Sequence, residues 1–113
     1  MNPKVTKDAE AVMVLLTRLI LLEPGTFQSH PDMGVGIHSR YRFSVEGGTE
    51  VLKSDIESQI AKYIPELQGT RVTVTEKNGQ YLIGAEFEGV LYGISFDTTS
   101  DEVKTNIASL ADL

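Results

Sequence analysis

Two hairpin signals set a few residues apart constrain this chain more than any other feature. Arg71 to Glu76 alternates apolar and polar residues, and Asn78-Gly79 follows as a strong two-residue turn signal. Tyr81 to Phe87 alternates again, Glu88-Gly89 makes a second turn, and Val90 to Phe96 completes a third segment. Setting Lys77 opposite Gln80 places Val74 opposite Ile83 and Val72 opposite Ala85. Setting Phe87 opposite Val90 places Ala85 opposite Tyr92, Ile83 opposite Ile94 and Tyr81 opposite Phe96. Both turns then put Val72, Val74, Tyr81, Ile83, Ala85, Phe87, Val90, Tyr92, Ile94 and Phe96 on one face. A slip of one residue in either turn would destroy that agreement. The predicted unit is a three-stranded antiparallel meander.

Its other face pairs Arg71 with Glu86, Leu82 with Ser95, Glu86 with Leu91, and Gly84 with Gly93. The paired glycines bare a strip of backbone between Leu82 and Leu91. Such a strip either relieves twist or admits the close approach of a helix or another chain.

Two helices are predicted ahead of the meander. From Asp8 to Leu22 apolar residues recur at helical spacing through Val12, Leu15, Leu16 and Leu19, and Met13, Ile20, Leu21 and Leu22 widen the face. A helix with so little polar surface requires cover on more than one side, by its own sheet or by another chain. Asp8 and Glu10 fall where a helix start favours negative charge, and Pro24-Gly25 ends the helix. A second amphipathic helix is expected from Thr49 as N-cap to Ile64, between Gly47-Gly48 and Pro65, burying Leu52, Ile56, Ile60, Tyr63 and Ile64. Between the helices, Thr26 to Ser44 is broken by Pro31, Gly34 and Gly36. It is still too apolar for a free linker, through Phe27, Met33, Val35, Ile37, Tyr41 and Phe43. A connection of that length in a small domain is functional or pinned by packing. After the meander, Thr99 with Glu102 reads as a capping box, and Val103, Ile107 and Leu110 as a short C-terminal helix. The whole is an α+β fold. Two main helices pack on a small antiparallel β-meander with a short C-terminal helix, in a single domain over residues 1–113.

Composition narrows function mainly by exclusion. At 113 residues with 41% hydrophobic and 23% charged residues, the chain matches one ordinary globular domain. It has no cysteine, which removes disulfides, thiol catalysis and thiolate metal sites. A net charge of −6 is a poor footprint for a nucleic-acid binder. Residues 1–45 carry five basic and four acidic side chains, and residues 46–113 carry five basic and twelve acidic ones. The acidic surplus therefore lies in the C-terminal two-thirds, where it keeps the surface solvated or steers a basic partner. The apolar run Ala11 to Leu22 is broken by Thr17 and Arg18 and is shorter than the ~20 residues a membrane span needs. It does not read as a signal peptide either.

Candidate catalytic groups lack specific spacing. His30, His38 and Asp32 match no metal-ligand pattern. Gly34-Val35-Gly36 is not a nucleotide loop, and no nucleophile elbow occurs. Glu86 with Glu88, or Glu23 with Asp32, would supply the carboxylate pair of a glycosidase, but sixteen acidic residues always provide pairs. No cofactor is expected.

The segment LLTRLILLEPGTFQSHPDMGVGI, Leu15 to Ile37, resembles the contractile-tail baseplate wedge and sheath-initiator family. Its members are found in myophage baseplates, type VI secretion baseplates and related injection particles. The shared features are a Leu-rich helix end, a turn beginning Glu23-Pro24-Gly25, and the Pro31-Asp32-Met33-Gly34 segment running to Gly36. Helix, glycine-bearing connection, second helix and meander follow in the family's order. Members are often labelled lysozyme-like, a label that does not by itself imply activity. One departure stands at Ile64-Pro65-Glu66, where many members have Glu-Pro-Arg; Arg71 on the following strand is the candidate stand-in for the missing arginine.

The resemblance implies a non-enzymatic structural protein present in six copies around the tail tube. It would touch baseplate wedge proteins and tail tube proteins, and nucleate the tail sheath protein by offering a strand edge. Its place would be the virion tail baseplate or a related particle, assembled in the host bacterial cytoplasm. Nucleic acid and membrane are not expected as partners. The candidate interface comprises Glu23, Pro24, Gly25, Phe27, Pro31, Asp32, Met33, Gly34 and Gly36, with Arg71, Leu82, Gly84 and Gly93 on the sheet. The strand Arg71–Glu76 or the strand Val90–Phe96 is expected as the available edge. The alternatives are a tail-associated peptidoglycan-degrading lysozyme and a stand-alone adaptor domain.

Overall fold

A computed structural model describes residues 3–41 and 48–112. The sheet follows the two turns. Strands β1 (Arg71–Lys77), β2 (Gln80–Phe87) and β3 (Val90–Asp97) are antiparallel, with Val72 opposite Ala85, Val74 opposite Ile83, Ile83 opposite Ile94 and Tyr81 opposite Phe96. Asn78 and Gly79 have φ of 53° and 78°, and Glu88 and Gly89 have 48° and 79°. These are left-handed pairs that match the twist of the flanking strands.

The C-terminal segment is a strand, not the expected helix. Val103–Ser109 forms β4 and pairs with β3, with Phe96 opposite Val103 and Tyr92 opposite Ile107. The spacing of Val103, Ile107 and Leu110 suits a helix, but Val103, Thr105 and Ile107 also alternate with period two, and all three are β-branched. The capping-box residues serve a turn instead. The Asp97 carboxylate accepts hydrogen bonds from the Thr99 amide at 2.8 Å and the Thr99 hydroxyl at 2.6 Å. These bonds hold Asp97 at a pKa of about 2, below the usual carboxylate range. Asp97 N–H then bonds the Glu102 carbonyl at 2.9 Å and starts the β3–β4 ladder. The sheet order is β1-β2-β3-β4. The available edges are therefore β1 and β4, and Val90–Phe96 is an inner strand.

Helix α1 spans Pro3–Leu21 and starts five residues before the predicted Asp8. Proline at a first helical turn loses no hydrogen bond, and Asp8 and Glu10 sit past that turn. Helix α2 is one turn, Ile37–Arg40, inside the connection that was expected to be irregular. Phe43, Ser44 and Gly47 lie outside the described residues. Helix α3 spans Gly48–Tyr63, so Thr49, expected as its N-cap, lies inside it, and a 3₁₀ turn at Pro65–Leu67 leads into β1.

Both long helices lie on one face of the sheet, α3 over β1 and α1 over β3 and β4. The core joins Leu16 and Ile20 of α1 and Leu52, Ile56 and Ile60 of α3 to Val72, Tyr81, Ile83, Tyr92, Ile94 and Phe96. His38 contributes to its margin, with its ring edge-on to Phe96 at 4.8 Å. The buried stripe of α1 runs Ala9, Met13, Leu16, Ile20, whereas Val14 and Leu15 remain 47% and 44% exposed. Leu15, which helical spacing places on the apolar face, points outward.

Candidate functional site

The connection after α1 is built into the helix end. A helix leaves its last carbonyls without partners, and here the returning chain supplies them. Val35 N–H bonds the Leu19 carbonyl at 3.0 Å and Gly36 N–H bonds the Leu22 carbonyl at 2.9 Å. The intervening turn closes on itself through Gly25 N–H to the Pro31 carbonyl at 2.8 Å. The Thr26 hydroxyl adds a bond to the Glu23 carbonyl at 2.6 Å. The Glu23 carboxylate accepts a hydrogen bond from the Ser39 hydroxyl at 3.0 Å, tying the turn to α2.

Gly34, with φ of 118°, lies so close to α1 that a Cβ there would overlap the Leu22 carbonyl oxygen. From the other side α3 holds the same segment. The Gln59 side chain accepts from Gly34 N–H at 2.7 Å and donates to the Asp32 carbonyl at 2.9 Å. Gln59 is the one polar side chain buried among the described residues. It satisfies the Gly34 N–H, which would otherwise be stranded in the interior, and also ties down the Asp32 carbonyl.

This strap, residues 23–36, forms one wall of an apolar groove. Leu15 and Leu19 of α1, with Leu22 just past its end, form another wall, Phe27 and Met33 come from the strap, and Tyr63 ends α3 with Ile64 following it. The cavity holds about 540 Å³, with Arg18 and Glu66 also among its lining. Phe27 is 49% exposed and continues the apolar surface from Leu15. His30 packs edge-on to Tyr63 at 5.8 Å, and Lys62 approaches the Asp32 carboxylate at 3.9 Å, bracing the strap on α3.

Of the residues expected at an interface, Phe27 and Met33 line the groove. Pro24, Gly25, Pro31 and Asp32 are exposed on the strap, Glu23 is half-buried, and Gly34 and Gly36 are buried beneath α1. Arg71, Leu82, Gly84 and Gly93 belong to a different surface, the outer sheet face, where Arg71 stands opposite Glu86 and Gly84 opposite Gly93. Thr73, Thr75, Leu91, Lys104 and Asn106 share that face. Leu15, Tyr63, Ile64, Glu66 and Gln59 were not among the residues expected at an interface. The shortage of polar surface on α1 was the signal for Leu15, and no local pattern marks Gln59.

The edge formed by β4 is a third surface. Hydrogen bonds from Asp97 N–H to the Glu102 carbonyl and from Leu110 N–H to the Gly89 carbonyl fix the phase of the β3–β4 ladder. Because bonded and non-bonded pairs alternate, Val103, Thr105 and Ile107 turn their N–H and C=O groups away from β3. Only Lys104 carries charge along this strand, and it has no proline. Edges in folded proteins are usually better guarded.

Glu66 is the one carboxylate lining the groove, whereas a glycosidase flanks its bond with two. Among the described residues no three His, Cys, Asp or Glu side chains group as metal ligands, and no helix is long and apolar enough to cross a membrane.

No protein-family model matches the chain, and no curated protein sequence does. Solved structures do match. One is a Geobacter sulfurreducens protein provisionally named a tail lysozyme, 17% identical over 90% of this chain and 88% of that one, with a TM-score of 0.57. Another is a chain of the baseplate complex from the type VI secretion system, 17% identical over 95% of both chains, with a TM-score of 0.63. At such identity the likeness is one of fold, and it extends over nearly the full length of all three chains.

Proposed function

We propose that the protein is a structural, non-enzymatic component of the baseplate of a contractile tail or related injection system. It joins wedge proteins through the apolar groove and nucleates the sheath through the β4 edge. The observation that carries this reading is the groove itself, with Leu15 and Phe27 half exposed along it. The chain around it has the fold of a subunit of a type VI secretion baseplate complex. A groove of this shape receives the apolar face of a partner helix, and an unguarded edge receives a strand through main-chain hydrogen bonds. Six copies around the tail tube, assembled in the host cytoplasm, complete the proposal.

Leu15→Glu puts a charge into the groove at a side chain that packs little in the monomer. The variant is expected to fold as the parent does and to be absent from particles assembled in cells that lack the parental gene. Normal incorporation of Leu15→Glu would refute docking through the groove. The lysozyme reading is favoured by the name of the Geobacter protein and is tested separately. Purified protein incubated with peptidoglycan is expected to release no sugar, and release abolished by Glu23→Gln would establish an enzyme instead.

A further inference from the structure

Gln59 does more in this fold than satisfy its own amide. Three walls make the groove, and two of them, α1 and α3, belong to the packed core. The third is the strap, which carries Phe27 and Met33 and contains no regular element between Leu21 and Ile37. Its fixed points are few. Val35 and Gly36 hang on the α1 carbonyls at 3.0 and 2.9 Å. On the α3 side the one buried tie is Gln59, whose side chain holds the backbone on both sides of Met33: the Asp32 carbonyl at 2.9 Å and Gly34 N–H at 2.7 Å. The other α3 ties, Lys62 to Asp32 and His30 to Tyr63, involve exposed or half-exposed side chains, where an ion pair holds weakly.

Because one amide grips the residues before and after Met33, it determines where the Met33 side chain sits. Tyr63, one turn further along α3, lines the same groove. The spacing between the Met33 and Tyr63 walls thus depends on Gln59, the one buried α3 side chain that ties the strap. We infer that Gln59 is the positioning residue of the docking groove. It holds the strap in the conformation a partner helix recognises, and without it the groove is remodelled before the fold is lost. The inference rests on the reading of the groove as a docking site.

Two variants of the full chain test it. Gln59→Met keeps the approximate volume and removes both hydrogen bonds. Gln59→Glu accepts and donates as glutamine does only while its carboxyl is protonated, a state that burial favours. Titratable groups on the elements packed around it include His30 and Asp32 on the strap and Asp55, Lys62 and Tyr63 on α3. In Gln59→Met the protection factors of the Gly34, Val35 and Gly36 amides are expected to fall at least tenfold more than those of Ile83 and Ile94 in the sheet. Incorporation into particles should fall at least fivefold. In Gln59→Glu strap protection should be near parental at pH 5 and lost at pH 8.

A uniform loss of protection over strap and sheet, or none, would overturn the positioning role. So would parental incorporation of Gln59→Met alongside exclusion of Leu15→Glu, which leaves the groove a docking site and Gln59 irrelevant to it. Normal incorporation of Leu15→Glu would instead overturn the docking reading and the role of Gln59 in it, whatever the amides show.

Discussion

Gly34 and Gly25 offer a controlled comparison of what the strap costs to disturb. Both hold positive φ, 118° and 93°, which side chains with a Cβ rarely adopt. Replacing either by alanine incurs backbone strain of about 1–3 kcal/mol. At Gly25 nothing lies within 4 Å of the added Cβ, so strain is the whole effect. At Gly34 the Cβ would overlap the Leu22 carbonyl oxygen, a backbone atom held in the helix end. Relief requires the strap to move away from α1, adding about 1–3 kcal/mol for overpacking. The same movement breaks the 2.7 Å bond from Gly34 N–H to Gln59 and strands a buried amide, about 1–3 kcal/mol more. Gly34→Ala should therefore cost about 3–9 kcal/mol beside about 1–3 for Gly25→Ala. That is a large part of the roughly 5–15 kcal/mol typical of a domain. Urea unfolding of both variants, followed by circular dichroism with a common m-value, measures the difference. Equal losses within about 0.5 kcal/mol would refute the account, because they would mean that the contact and the clamp contribute nothing beyond φ.

Two further outcomes follow from the sheet and its margin. Gly93→Val should leave the unfolding midpoint nearly unchanged, since a Cβ there meets Asn106 atoms only at 3.7 and 3.8 Å. Gly84→Val should lower the stability by about 1–3 kcal/mol, because a Cβ comes within 2.8 Å of the Thr73 hydroxyl. If Gly93→Val assembles poorly while melting normally, the outer face meets a partner. At alkaline pH, burial and then the 2.9 Å hydrogen bond to Asp55 push the Tyr41 phenol up to about 12. The unfolded chain ionises near pH 10, so between those values the folded state binds more protons. Stability is accordingly full below pH 10 and declines as pH rises toward 12. Absorbance at 295 nm together with urea midpoints at pH 9 and 11 checks this, and a midpoint that rises over that interval contradicts it.

The meander was legible because two turns fixed its register independently and a slip in either would have turned the apolar set to solvent. The helices were legible because their apolar period and their proline stops agree. Val103–Ser109 was misread because a short apolar run fits both periods. What decides is tertiary: β3 offers a ladder, and Phe96 and Tyr92 offer a surface for Val103 and Ile107 to cover. Asp97 then takes the role in the turn that a capping residue would have had in a helix. The misreading affected function as well as fold: of the two edges expected, Arg71–Glu76 is one, but Val90–Phe96 is an inner strand and the β4 edge was left unseen.

The groove could not be read locally at all, and the reason lies in how its walls meet. Leu15, Met33 and Ile64 are far apart in sequence, and each looks like ordinary core in its own window. Leu15 sits at helical spacing beside Leu16 and Leu19, and Tyr63 at helical spacing from Ile56 and Ile60. Which of them are covered depends on where the strap runs, and the strap runs where Gln59 and the α1 carbonyls hold it. Periodicity cannot report a position set by a buried amide on another helix. It did report that α1 is too apolar for one sheet to cover, and the exposed Val14 and Leu15 bear that out. The useful signal for an interface was thus a surplus of apolar residues on one element rather than any motif. The residues that shape the groove, Gly34 and Gln59, are themselves buried.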